Sequence, residues 1–76
     1  MMASIPKFAD RLRAARQAAR MTQGAVGSAL DPPHTRKNVC KWEHGHTEPS
    51  LATIAQLAAA LGVTPCWLAF GEGAHE

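Results

Sequence analysis

Residues 22–45 read TQGAVGSALDPPHTRKNVCKWEHG, which is two short helical segments separated by a proline-rich break. Thr22 is a natural cap for the first, because its hydroxyl accepts from an otherwise unsatisfied N–H of the first turn. Val26 and Leu30 then lie on one face of a segment over residues 23–30. Gly24 and Gly27 each weaken it by up to about 1 kcal/mol relative to alanine. A glycine kept inside a helix often marks the approach of another backbone. Asp31-Pro32-Pro33 stops the segment, since proline lacks an N–H and biases its predecessor away from helix. Thr35 caps the second segment, about 36–43, where Val39 and Trp42 face inward. Lys37 and Lys41 share another face one turn apart, with Arg36 beside it. Gly45 ends that helix. The second segment has an apolar back and a cationic front.

The flanks are helical too. Over 6–20, Phe8, Leu12, Ala15 and Ala19 make one stripe, with Ser4 as cap, Pro6 in the first turn and Arg11, Arg13, Arg16 and Arg20 mostly on the remaining surface. Pro49-Ser50 opens a segment over 51–61 whose core face is Leu51, Ile54, Leu57, Ala58 and Leu61, closed by Gly62. Thr64 and Pro65 start a fifth over 65–70, carrying Trp67, Leu68 and Phe70, and a frayed tail follows from Gly71. With isolated valines and isoleucines and no tyrosine, the expected class is all-α: a compact five-helix domain spanning residues 1–76, its core about 6–71.

Seventy-six residues at 46% hydrophobic bury one modest core. The net charge of +2 conceals a split. All eight Lys and Arg lie in residues 7–41, where only Asp10 and Asp31 oppose them, while residues 43–76 hold four acids and no Lys or Arg. Such asymmetry suggests an acidic partner for the N-terminal half, and its bland counterpart is a set of solvated helix faces. No apolar run approaches the ~20 residues of a membrane span, no leader pattern opens the chain, and two cysteines make no disulfide framework. The expected setting is a reducing cytoplasm.

Two short helices with a tight connection, the second basic, are what a helix-turn-helix reader needs. Thr22-Gln23, Val26, Val39, Trp42-Glu43, Gly45, Pro49-Ser50, Leu61-Gly62-Val63 and Trp67-Leu68 together resemble the phage Cro/repressor type of helix-turn-helix family, over about residues 8–72. The resemblance implies a lambda-repressor-like fold in which helices 2 and 3 form the motif. Gln23 then matches a glutamine that holds a DNA phosphate, and Thr35 the cap of the recognition helix. Arg36, Lys37 and Lys41 match base-facing positions, and Arg16 and Glu43 a salt bridge between the first helix and the end of the third, leaving Arg13 and Arg20 for phosphates or solvent. Family dimers often meet at the fifth helix, here Leu68 and Phe70. One departure stands out. From Gln23 to Glu43 the chain is two residues longer than the family pattern, with Asp31-Pro32-Pro33-His34 in place of a glycine turn, and Gly27 stands where alanine is usual.

The chemistry agrees with this reading. The major groove accepts an α-helix, and arginine pairs in bidentate fashion with guanine O6 and N7. Lys37 and Lys41 suit bases or phosphates, and Asn38 an adenine or the backbone. Gln23 and Thr22 at one helix start, Thr35 at the next, and the loop 44–47 with His46 and Thr47 are candidate phosphate contacts; a solvated loop histidine is the plain alternative for His46.

Cys40, His44 and His46, with Cys66, raise a zinc site, but C-x3-H-x-H matches no established zinc module, and a cysteine beside Val39 and Trp42 reads as a small hydrophobe. No metal and no cofactor are expected, and scattered Ser, His and Asp residues without a phosphate loop give no support to an enzyme. The expected function is a sequence-specific regulator of double-stranded DNA, a homodimeric repressor of phage or prophage type. The alternative is an antitoxin-like protein-interaction module that uses the acidic surface of 43–76. At this length the chain is Cro-like in scale or a DNA-binding fragment of something longer.

Overall fold

The computed structural model describes residues 7–71 and contains five helices: α1 Phe8–Ala18, α2 Gln23–Ser28, α3 Arg36–Glu43, α4 Leu51–Leu61 and α5 Pro65–Phe70. Four start on a hydroxyl cap. Thr22, Thr35, Ser50 and Thr64 accept from the backbone N–H groups of Ala25, Asn38, Thr53 and Trp67, each cap contributing about 1 kcal/mol. The bounds of α3, α4 and α5 coincide with the sequence expectation because a cap and a glycine punctuate each. Gly45, Gly62 and Gly71 all take left-handed backbone, with φ near +75°.

The first two helices end sooner than expected. Arg20 adopts φ 59°, so the chain turns off α1 without a glycine; Met21 N–H donates to the Arg16 carbonyl and Arg20 N–H to that of Gln17, the pairing of a Schellman motif. At its other end Lys7 N–H donates to the Asp10 carboxylate at 3.3 Å. The expected roles of Ser4 and Pro6, and the expected tail beyond Gly71, lie outside the described residues. In α2, Ala29 takes the cap position, and Leu30 follows as a buried turn residue.

One core joins all five helices. Leu12, Val26, Val39, Leu57 and Leu68 are fully buried, each stabilising the fold by about 1.5–3 kcal/mol. α2 and α3 pack against each other, while α1 crosses both α3 and α5. Three expectations need correction. Leu51 is 69% exposed because it opens α4 one turn ahead of Ile54. Ala19 is exposed because it caps α1. Arg11, expected on the surface, is 7% exposed, because its guanidinium donates to the carbonyls of Leu68 at 3.0 Å and Ala69 at 2.9 Å, tying α1 to the last turn of α5.

Candidate nucleic-acid interface

The position of α3 is fixed from behind. Glu43, its last residue, is buried and gathers groups from both preceding helices. Arg16 of α1 donates from Nε to Oε2 at 2.6 Å and from Nη2 to Oε1 at 3.1 Å. The amide of Gln23, first residue of α2, donates to Oε1 at 3.1 Å. Arg13 Nε stands 3.8 Å from Oε1, and its Nη2 donates to the Glu43 carbonyl at 3.2 Å. Burial of an ionised carboxylate costs several kcal/mol unless it is paired and hydrogen-bonded, and here every buried polar side-chain atom among the described residues has a partner. The hydrogen bonds that Arg16 donates to Glu43 hold its guanidinium above its ordinary pKa, so this cation stays charged. A third Arg16 bond, from Nη1 to the Met21 carbonyl at 3.0 Å, fixes the corner between α1 and α2.

With Val39, Trp42 and Glu43 turned inward, the helical period sends Lys37 and Lys41 outward, and Arg36 in the first turn is exposed beside them. None of these three cations has a protein partner among the described residues. Thr35 is exposed at the start of the same helix, and Thr22 at the start of α2. Gln23 lies beside Thr22 with one amide hydrogen held by Glu43 and the second left to donate elsewhere. At the far end of α3, His46 N–H donates to the Lys41 carbonyl and Gly45 N–H to that of Trp42; the side chains of His46 and Thr47 are exposed.

Four candidate residues sit otherwise than expected. Leu68 is fully buried, so it closes the monomer core and offers no surface to a second subunit; Phe70, at 65% exposure, does. Arg13 is engaged by Glu43 rather than left for phosphate. Asn38 is half-buried, and its amide donates to His34 Nδ1 at 3.3 Å, turning it towards the preceding loop instead of the face of Lys37 and Lys41. Cys40 is half-buried, not a core hydrophobe, with its sulfur 3.5 Å from His44 Nδ1. Among the described residues no group of three or more His, Cys, Asp or Glu side chains is placed to hold a metal ion, and no helix is long and apolar enough to cross a membrane.

Gln56 carries no sequence signal, yet it reaches from α4 to the loop before α3. Its Oε1 accepts from Asp31 N–H at 2.7 Å, and its Nε2 donates to the Asp31 carbonyl at 3.0 Å. The pair is 25 residues apart, beyond any local rule. The loop includes a cis peptide between Asp31 and Pro32.

The sequence pattern of the helix-turn-helix family matches residues 12–68, all five helices in whole or part. The chain belongs to this family, in its phage Cro/repressor branch. Its fold is similar to that of the P22 c2 repressor protein, whose crystal structure was determined in complex with the synthetic operator 9T in the presence of Tl+. The two are 26% identical, the similarity covers 90% of this chain and 100% of that one, and the TM-score is 0.80. Comparison with curated proteins gave no match. This helix-turn-helix family and fold are those of DNA-binding regulators, not of enzymes.

Proposed function

We propose that this chain is a sequence-specific repressor of transcription, of phage or prophage type, that binds double-stranded operator DNA with α3 in the major groove. The observation that carries the reading is the outer face of α3: Arg36, Lys37 and Lys41 stand exposed on a helix whose inner face is locked through Glu43 to α1 and α2. Rigid presentation of unpartnered cations is what base readout requires, because only groups held in place discriminate one base edge from another. The operator-bound P22 c2 repressor supports the same reading.

In this reading Arg36 contacts guanine in bidentate fashion, and Lys37 and Lys41 contact bases or phosphates further along the groove. Gln23, Thr22 and Thr35 donate to one stretch of phosphates, and the 44–47 loop with His46 and Thr47 to another. Phosphate contacts supply affinity and register, not sequence. The protein acts in the bacterial cytoplasm as a homodimer, with Phe70 in the subunit contact and two half-sites one helical turn, ~34 Å, apart.

Selection from a random duplex pool at physiological salt tests the reading, with the triple variant Arg36→Ala/Lys37→Ala/Lys41→Ala as control. A palindromic consensus that the control no longer selects is expected. No consensus, or one that the control retains, would reject α3 as the reader and direct attention to a protein partner.

A further inference from the structure

The loop between α2 and α3 is held at both ends. At its start Gln56 of α4 brackets both backbone polar groups of Asp31, at 2.7 and 3.0 Å. At its end His34 N–H donates to the Gly27 carbonyl at 2.9 Å. A Cβ on Gly27 would lie 2.3 Å from the His34 carbonyl oxygen, so α2 and the loop touch backbone to backbone. The His34 ring packs on Trp42, with centroids 5.0 Å apart, and its Nδ1 accepts from the Asn38 amide at 3.3 Å. Trp42 and Asn38 belong to α3, and Gln56 belongs to the body of the fold. The loop is thus a strut from α4 to α3, joined to α3 through Asn38 and Trp42.

We infer that this strut sets the base preference of α3: Gln56 and His34 are positioning residues that fix its docking angle, and Asn38 is part of the strut and not a base reader. The inference rests on the DNA-reading role proposed above and adds residues that touch no DNA. A helix carried on a slack loop would still place cations near phosphates. It would lose the alignment on which a bidentate base contact depends, and that contact is what distinguishes one sequence from another.

The test uses the full chain, the operator selected by the wild type and a scrambled duplex of equal length. Gln56→Met keeps the length of the side chain without its amide, and His34→Ala removes ring and acceptor together. Each variant is expected to keep the wild type's helical circular dichroism, its affinity for the scrambled duplex and its salt slope. The ratio of operator to scrambled affinity falls about tenfold, the loss of roughly one well-made base contact. Gln56→Glu, which retains the acceptor for Asp31 N–H, recovers part of that ratio, whereas Asn38→Ala, which removes only the His34 link of the strut, lowers the ratio less than His34→Ala does and abolishes no single base position in a repeated selection.

An unchanged ratio in folded Gln56→Met and His34→Ala would overturn the inference. So would equal losses on both duplexes, or variants that no longer fold, since the loop would then serve stability alone. If the wild type selects no operator, the DNA-reading role itself fails, an outcome distinct from each of these.

Discussion

Two glycines in the six-residue α2 should respond to alanine in opposite directions. At Gly24 a Cβ would meet only Thr22 Oγ1, at 4.0 Å, so Gly24→Ala gains helix propensity of up to about 1 kcal/mol. At Gly27 the same methyl would stand 2.3 Å from the His34 carbonyl oxygen, 3.1 Å from its carbon and 3.4 Å from the Thr35 oxygen. Those atoms are backbone, and they must retreat by on the order of 1 Å to reach ordinary contact. Overpacking of this kind costs about 1–3 kcal/mol. Displacing His34 also weakens its 2.9 Å bond to the Gly27 carbonyl, a loss of about 1 kcal/mol. Set against the propensity gain, Gly27→Ala is destabilising by about 1–3 kcal/mol. In a domain of this size each kcal/mol moves the melting midpoint by roughly 4–8 °C. Thermal unfolding followed by circular dichroism should therefore show Gly24→Ala a few degrees above the wild type and Gly27→Ala on the order of 5–20 °C below it. A Gly27→Ala protein that melts at or above the wild type would refute the reasoning, because it would mean that the loop backbone yields freely.

Other substitutions test the remaining joints. Glu43→Ala strands Arg16 and Gln23 and should cost about 3 kcal/mol in urea unfolding, a large share of the roughly 4–11 kcal/mol typical of a chain this long. Arg20→Gly removes a side chain from left-handed backbone (φ 59°) and should raise stability by about 0.5–1 kcal/mol; a lower melting midpoint would show that the Arg20 side chain contributes more than its backbone costs. Phe70→Ser should leave the monomer's melting midpoint nearly unchanged while shifting sedimentation towards monomer, and an unchanged association state would remove Phe70 from the subunit contact. The Arg16 guanidinium has a raised pKa, so its contribution is fully present below the ordinary guanidinium range and is lost only as pH climbs through the raised value. Stability across the mildly alkaline range should not sense this pair.

Where the sequence carries its own punctuation, the fold was legible from it. Thr35 with Gly45, Ser50 with Gly62, and Thr64 with Pro65 mark α3, α4 and α5 residue by residue, since hydroxyl caps and left-handed glycines are local chemistry. α1 ends through Arg20, a residue type seldom found in left-handed backbone, and no local signal announces it. Periodicity placed Arg11 on the surface because it counts charge as polar. The guanidinium instead finds two carbonyls at the end of α5, 57 and 58 residues away, which only the assembled fold brings within reach. Leu68 and Phe70 look alike in sequence, yet one fills the core and the other faces out. The exposed cations of α3 were readable from the spacing of Val39 and Trp42. The hub at Glu43 came through the family resemblance for Arg16, but its further partners Arg13 and Gln23 did not. The longer loop was visible as a departure from the family pattern. Its consequence was not, because Gln56, Gly27 and His34 are unremarkable singly and acquire meaning by meeting.

The most direct test of the central claim is guanine N7 methylation interference on the selected operator, with wild type and Arg36→Ala side by side. If α3 lies in the major groove with Arg36 on guanine O6 and N7, methylation of one guanine in each half-site should block the wild type, with the two positions about one helical turn apart. Arg36→Ala should bind more weakly, by about 1–3 kcal/mol, and should be indifferent to that methyl group. Binding of the wild type that tolerates N7 methylation throughout the site, or an Arg36→Ala variant with the wild type's interference pattern, would contradict the account.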